Sequence, residues 1–394
     1  MERIMKLSAS NVLLVKGPAS VKCIGSVSVL GIDACTKEVT LRAGKILPFE
    51  ASRRSEVKIR LGSGGNYSVV GESKVGVSIW KEVANRITLR NKPTRIMIVG
   101  ATDTGKSTLA TYLSNITSAN KMKVSIVDGD VGQSDLAPPG CIGASMIKEE
   151  FLDLRDISAE YSSFIGAISP RGIEKLVIIS IKNMADRLSA KSDICIINTD
   201  GYIDKRGIDY KIELAKALKT DLLVYIGNLA SRKLLDEFKS RFLHVVAPER
   251  VSKTHYEREE RRLGQYYKFV GEGSEITFEV KNKKFGFMGK IYDNIILARF
   301  LIHLKSITFP IRFLKGMFVG LSARNEVKGF AIVTKVGSNK ITLKTQYEGE
   351  FDTIILSTIR LSPDMRREYQ LPLVVNWNNW SKASAISKGY YPSG

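Results

Sequence analysis

The run Ile96-Met-Ile-Val-Gly-Ala-Thr-Asp-Thr-Gly-Lys-Ser-Thr108 limits what this chain can fold into more than any other feature. Ile96 to Val99 read as a short buried strand. Leu109, Tyr112 and Leu113 then recur at helical spacing, so the segment between joins a strand to a helix N-terminus. Gly100, Gly105, Lys106 and Ser107 fill the pattern G-x-x-x-x-G-K-[ST]. Glycines let the backbone curl around phosphate, and the free N–H groups and helix dipole then face the anion. Gly100, Ala101, Thr102, Asp103, Thr104, Gly105, Lys106, Ser107 and Thr108 are therefore expected to form a nucleotide-binding loop. Lys106 is expected to reach the β- and γ-phosphates and Ser107 to bind Mg²⁺. A Gly-rich turn with a surface lysine would leave the adjoining Ser-Thr pair unexplained.

Pattern divides the rest of the chain into three regions. Residues 1–90 hold short β-like runs broken by Gly, Pro, Ser and Asn: Val12–Val15, Val21–Leu30, Val39–Leu41 and Val75–Trp80. With no long segment of helical period, this region is expected to be a small β-sandwich. Residues 91–280 alternate apolar strand runs with amphipathic helices. The strands are placed at Arg95–Val99, Lys123–Val127, Ile194–Ile197, Leu222–Ile226 and His244–Val246, with helices at Gly172–Leu188 and Tyr210–Leu218. That alternation predicts an α/β fold, a P-loop domain with a mostly parallel sheet covered on both faces. Ligands of such sheets bind beyond the carboxyl ends of the strands. Residues 281–394 return to β character at Ile332–Val336, Ile341–Thr345 and Thr353–Leu356, with Gly337–Lys340 as a hairpin turn. Residues 376–394, with Trp377 and Trp380, read as a loose polar tail.

Charge is the outlier in composition. The net charge of +20 exceeds what a nucleotide alone requires and suggests a polyanionic partner, RNA or DNA, unless the whole proteome is basic. Basic residues cluster at Arg53, Arg54, Lys58 and Arg60, and at Arg86, Arg90, Lys92 and Arg95. Four scattered cysteines and three distant histidines argue against a Cys/His metal site and for reduced, interior thiols. No signal-peptide pattern and no span long enough for a bilayer appear, so a cytoplasmic location is expected, or a nuclear one in a eukaryote.

Two carboxylates stand at a strand end in Asp128-Gly-Asp130-Val-Gly-Gln133. Beside a P-loop, one can hold Mg²⁺ or its water while the other orients or deprotonates a nucleophile. Gln133 is placed to hydrogen-bond the γ-phosphate or the attacking oxygen. No N-K-x-D base reader of GTPases is present; Asn198-Thr-Asp200 is not one. Tyr202 follows that strand and offers a ring to stack on a base, or a ring packed against the fold. The mixed-charge segment Lys253–Lys268 reads as a helix on which Arg258 and Arg262 share a face, either to close over a nucleotide or to stay solvated.

Together these segments resemble the RNA-processing polynucleotide 5′-hydroxyl kinase family, which includes the tRNA-splicing and mRNA cleavage-factor kinase and the pre-rRNA-processing kinase. The resemblance runs in order through Gly17-Pro-Ala-Ser20, Ala43-Gly-Lys-Ile-Leu-Pro48, the P-loop, Asp128-x-Asp130-x-Gly-Gln133 and Pro138-Pro-Gly140. It continues through Phe164-Ile-Gly166…Ser169-Pro170, Asn198-Thr-x-Gly201, the Arg-rich segment and Gly316–Leu321, in the manner of compact archaeal-type members.

The resemblance implies transfer of the γ-phosphate of ATP, or another nucleoside triphosphate, to the 5′-OH of RNA, with DNA a second acceptor. It implies Asp130 as general base and Asp128, with Ser107 and Asp130, as the Mg²⁺ residues. Gln133 would position phosphate, and Arg258 and Arg262 would be lid arginines, with Arg261 a competitor. Tyr202, where the family usually has Trp, would clasp the substrate end, with Pro139 and Ser169 nearby. Partners would be RNA and RNA-processing proteins, with no membrane. The rival readings are a catalytically weak ATP-binding scaffold of an RNA-processing complex and an ATPase that remodels a partner.

Overall fold

The computed structural model describes residues 2–72, 75–90, 93–229, 231–247, 254–292, 296–297, 301–304, 307–310 and 313–371. Lys92, Lys253 and the tail with Trp377 and Trp380 lie outside these residues.

The N-terminal region folds as two antiparallel sheets. One orders Glu2–Leu7, Ser55–Leu61, Ala19–Ile24 and Val39–Leu41; the other orders Ile32–Asp33, Val27–Val29, Ile46–Ala51, Asn11–Lys16 and Asn66–Gly71. Their alternation is clean: Ala19, Val21 and Cys23 are buried while Lys22 and Ile24 are exposed, so each sheet turns one face inward. The run Val21–Leu30 is two strands in different sheets. It breaks at Gly25, whose φ of +122° only glycine adopts freely.

The expected strand Val75–Trp80 is instead the start of helix α1, Val77–Thr88. Val77, Trp80, Val83, Ala84 and Ile87 all turn inward at three- and four-residue steps. The β-like Val-Gly-Val opening masked a period that shows only over a longer window. The region is therefore not free of long helices.

The central sheet orders Tyr161–Phe164, Cys141–Met146, Val124–Gly129, Ile194–Thr199, Thr94–Gly100, Leu222–Ile226 and Phe242–Val245. The last five are mutually parallel; the first two pair antiparallel at one edge. Around it lie α2 (Lys106–Ala119), α3 (Glu174–Ser189), α4 (Lys205–Ala217), α5 (Arg232–Phe238) and α6 (His255–Tyr266). Side chains of the P-loop strand alternate between two cores. Ile96 and Ile98 join Leu109 and Leu113 of α2, whereas Met97 and Val99 join Ile181 of α3 and Leu214 of α4. The first core runs on without a break into the N-terminal sheets and α1, where the rings of Trp80 and Tyr112 lie 5.7 Å apart.

The C-terminal region centres on a sheet ordered Ser274–Glu279, Lys340–Thr345, Glu326–Val336, Phe318–Ala323, Thr353–Leu356, Lys284–Phe287 and Lys290–Tyr292. The expected hairpin is present, with Gly337 N–H donating to the Lys340 carbonyl at 2.8 Å. Phe318, Phe330 and Ile359 of this region close on Phe164 of the central edge strand and on Tyr266 at the end of α6. Among the described residues no helix is long and apolar enough to cross a membrane.

Candidate active site

The P-loop leaves its strand at Gly100, where a Cβ would come within 2.3 Å of the Ile226 carbonyl. It enters α2 at Gly105, φ +95°. Both turns demand glycine. Thr104 closes the loop with its hydroxyl on the Ala101 carbonyl at 2.9 Å, and Lys106 Nζ donates to the same carbonyl at 2.7 Å. Lys106 is buried beside the helix N-terminus, and burial pulls its ammonium below the ordinary lysine range while Asp130 opposes that shift. Ser107 occupies the first turn of α2, and its Oγ lies 3.3 Å from Nδ2 of Asn198.

The two carboxylates of the next strand have different partners. Asp128 is fully buried and anchors the following loop. Its Oδ2 accepts the Asp135 N–H at 2.6 Å, the Leu136 N–H at 3.3 Å and the Ser134 hydroxyl at 3.4 Å. Its Oδ1 accepts from Asn198 Nδ2 at 2.9 Å, so Asn198 bridges Asp128 and Ser107. Burial, and then the charge of Asp135, push the Asp128 carboxyl up to about 7. Asp130 is partly buried at the strand's carboxyl end. Its Oδ1 takes the N–H groups of Gly132 and Gln133 at 3.0 and 2.9 Å. Burial and the nearby Asp200 raise it, while Lys106 and Lys211 hold it back. That is the setting of a carboxylate that can exchange a proton.

On the neighbouring strand end, Asn198-Thr-Asp-Gly201-Tyr202 meets the P-loop directly. A Cβ on Gly201 would lie 2.2 Å from Thr102 Oγ1. Tyr202 is half-buried: its ring lies against Tyr210 at 6.2 Å, with the Arg171 guanidinium 5.1 Å from its centre. Ser169 is exposed nearby and accepts the Arg171 N–H at 3.3 Å. Pro139 is buried in the turn that starts the strand Cys141–Met146, where Gly140 N–H bonds the Val131 carbonyl at 2.8 Å. Pro139 thus offers little surface to a substrate, and at Gly140 the turn packs against Ile359 of the C-terminal region.

Helix α6 lies across the loop. Thr254 and Glu257 form a capping box that fixes its start. Arg258 Nη2 reaches Asp103 of the P-loop at 3.1 Å, and Gln133 Nε2 faces the Arg258 carbonyl at 3.5 Å. Arg261 pairs with Asp135. Arg262 does not join Arg258 over the loop; its Nε meets Glu368 of the C-terminal region at 2.5 Å, with both side chains nearly buried. Four residues of helix advance about 6 Å, which carries Arg262 past the P-loop to the next domain. Arg261, on the adjoining face, is the arginine brought towards the acidic cluster.

Oxygen donors stand at these strand and helix ends: the Ser107 hydroxyl and the Asp128 carboxylate, to both of which Asn198 turns its Nδ2, and Asn198 Oδ1, which is buried without a hydrogen-bond partner among the described residues. That set fits a hard divalent cation shared with nucleotide phosphates. Among the described residues no group of three or more His, Cys, Asp or Glu side chains forms a cage of its own.

The model of the mRNA cleavage and polyadenylation factor CLP1 P-loop matches residues 100–270. Residues 100–270 are therefore similar to that family's P-loop region. A polyribonucleotide 5′-hydroxyl-kinase of Pyrococcus horikoshii is 29% identical over 201 residues, covering 50% of this chain and 56% of that protein. One of Methanocaldococcus jannaschii is 31% identical over 172 residues, 43% and 48% of the two chains. The chain thus spans about half the length of the curated relatives it matches. A solved structure of wild-type Clp1p bound to Pcf11p residues 454–563 superposes with a TM-score of 0.70 over 91% of this chain and 98% of that one. At 14% identity this likeness shows the fold.

Within the CLP1 region the sequence reading missed Asn198 as a bridging side chain, Asp135 as the partner of Arg261, and Lys211. Asn198 carried a signal, since it stands at a strand end level with Asp128 in the parallel register. Lys211 carried none, because a lysine on an amphipathic helix is ordinarily assigned to solvent.

Proposed function

We propose that this chain is an ATP-dependent polynucleotide 5′-hydroxyl kinase acting on RNA. The observation that carries the reading is Asp130 at the strand end, close enough to the P-loop Lys106 and to Asp200 for both charges to act on it. Asp130 takes the proton of the 5′-hydroxyl as that oxygen bonds the γ-phosphorus. The β–γ bridging P–O bond breaks and ADP leaves. Lys106 and the loop N–H groups hold the phosphates, and Arg258 and Arg261 of the lid face the developing charge. Ser107 and Asp128, with Asn198 beside them, would hold Mg²⁺, which would supply charge neutralisation on the phosphates. Gln133 orients phosphate, and Tyr202 with Ser169 receives the acceptor end. The same reading places the protein in the cytoplasm, or the nucleus of a eukaryote, with RNA-processing proteins as partners.

The test is transfer of labelled γ-phosphate from ATP to matched 5′-OH RNA and DNA oligonucleotides, with 5′-phosphorylated controls. Label on 5′-OH ends only, cut about 10²-fold or more by Lys106→Ala and by Asp130→Asn, supports the kinase. Bound ATP without transfer to either acceptor overturns it in favour of a scaffold. Phosphate released to water with no labelled end points to an ATPase.

A further inference from the structure

Lysines are almost never fully buried unless a carboxylate meets them. Lys211 of α4 has no exposed side-chain surface, and its Nζ lies 2.8 Å from Asp200 Oδ1. The proposed chemistry uses neither residue. The same carboxylate serves the acceptor platform twice more. Oδ1 accepts the Tyr202 N–H at 2.9 Å, and Oδ2 accepts the Tyr210 hydroxyl at 3.2 Å. Tyr210 in turn braces the Tyr202 ring. Gly207 lets α4 approach so closely that a Cβ there would lie 2.4 Å from the Tyr202 carbonyl. On its other side the segment is fitted to Thr102 of the P-loop through Gly201.

We propose that the buried Asp200–Lys211 pair is the positioning device of the acceptor subsite, fixing Tyr202 against the P-loop so that the polynucleotide end docks within reach of Asp130. The inference rests on the kinase reading, which makes Tyr202 the acceptor platform. A buried ion pair is a poor source of stability, since apolar residues of similar volume do as well or better. A carboxylate does what an apolar residue cannot: it holds a backbone N–H and a hydroxyl in fixed directions. Lys211 lets that carboxylate stay charged indoors. Without the lysine, Asp200 is an uncompensated charge beside Asp130 and must draw in water or shift, taking Tyr202 with it.

The test compares Lys211→Met, the double variant Lys211→Met/Asp200→Asn, and Tyr210→Phe with the full wild-type chain. The readouts are KM for a 5′-OH RNA oligonucleotide, KM for ATP, oligonucleotide affinity by fluorescence anisotropy, and the melting midpoint. Lys211→Met should raise oligonucleotide KM and Kd about tenfold with ATP KM little changed. The double variant has no orphan charge and keeps an acceptor for the Tyr202 N–H, so it should recover most of that loss. A folded Lys211→Met with unchanged oligonucleotide KM, equal losses for oligonucleotide and ATP, or no recovery in the double variant overturns the inference. Should Lys211→Met fail to fold, Tyr210→Phe decides: a raised oligonucleotide KM at constant ATP KM supports the inference, and an unchanged one overturns it. Wild-type protein that binds ATP but neither binds nor labels any oligonucleotide overturns the kinase reading, and the inference with it.

Discussion

Two arginines one helical turn apart illustrate how little spacing alone decides. Arg258 meets Asp103 in the P-loop; Arg262 meets Glu368 in another sheet system. Their losses should differ in kind. Arg258→Ala should cut phosphoryl transfer about 10²-fold or more while the melting midpoint stays close to wild type, because the pair is partly exposed and contributes little to stability. Arg262→Met should strand the nearly buried Glu368 and cost about 3–5 kcal/mol of stability, with turnover per folded molecule largely kept. Measuring kcat beside chemical denaturation for both variants checks this, and equal catalytic losses would count against it. At this scale the sequence was legible where chemistry fixes residue type and order: the P-loop stands between a strand and α2, the two carboxylates stand at the next strand's end, and the Arg-rich segment is a helix. It was not legible where meaning depends on what stands across a gap, as with Arg262 and Glu368, 106 positions apart, or Gly140, which meets Ile359 of the C-terminal region.

Elements were legible in proportion to how local their cause is. The parallel strands announce themselves as short apolar runs, because both of their faces are buried. The antiparallel edge strands Cys141–Met146 and Tyr161–Phe164 do not, since Gly143, Ser145, Ser162 and Ser163 dilute them. Helix α1 hid behind a β-branched start. A short turn, Leu154–Asp156, supplies a testable case of local electrostatics. Burial pushes the Asp153 carboxyl up. Lys45 at 3.7 Å and the paired hydrogen bonds of Arg155 at 2.6 and 3.0 Å outweigh it and hold the group well below the usual carboxylate range. A carboxyl lower in the folded than the unfolded chain stabilises above the ordinary aspartate range, and loses that effect as pH falls. Asp153→Asn should therefore cost about 3 kcal/mol at neutral pH. The gap to wild type should narrow as pH is taken from about 4 towards 2. Denaturant midpoints for both proteins at several pH values check the sign; a gap that widens with acid would refute it.

Across the whole molecule, the described residues form N-terminal, central and C-terminal sheet systems that do not behave as beads on a string. Trp80 and Phe49 share one apolar core with Ile96 and Leu109 of the nucleotide domain. Truncating Trp80 to alanine should cost about 3–5 kcal/mol. It should shift loss of nucleotide binding and loss of β-sheet signal together in a denaturant series. A separate, earlier transition of the N-terminal sheets would argue for independent folding. Periodicity could not show this, because it reports which face of an element is apolar and not what that face meets.

Among the described residues, four ion pairs that differ in access to water hold the helix α6. Arg261–Asp135 and Arg262–Glu368 lie largely out of solvent, whereas Lys16–Glu257, at 3.6 Å, keeps about a third of each side chain exposed. Dissolved ions screen exposed pairs far more than enclosed ones. Raising the ionic strength therefore loosens the lid where it touches the N-terminal sheets and leaves it pinned at the far end. On the proposed reading, in which this strongly basic chain grips a polynucleotide, the same salt that weakens that grip also frees one edge of the helix lying across the P-loop.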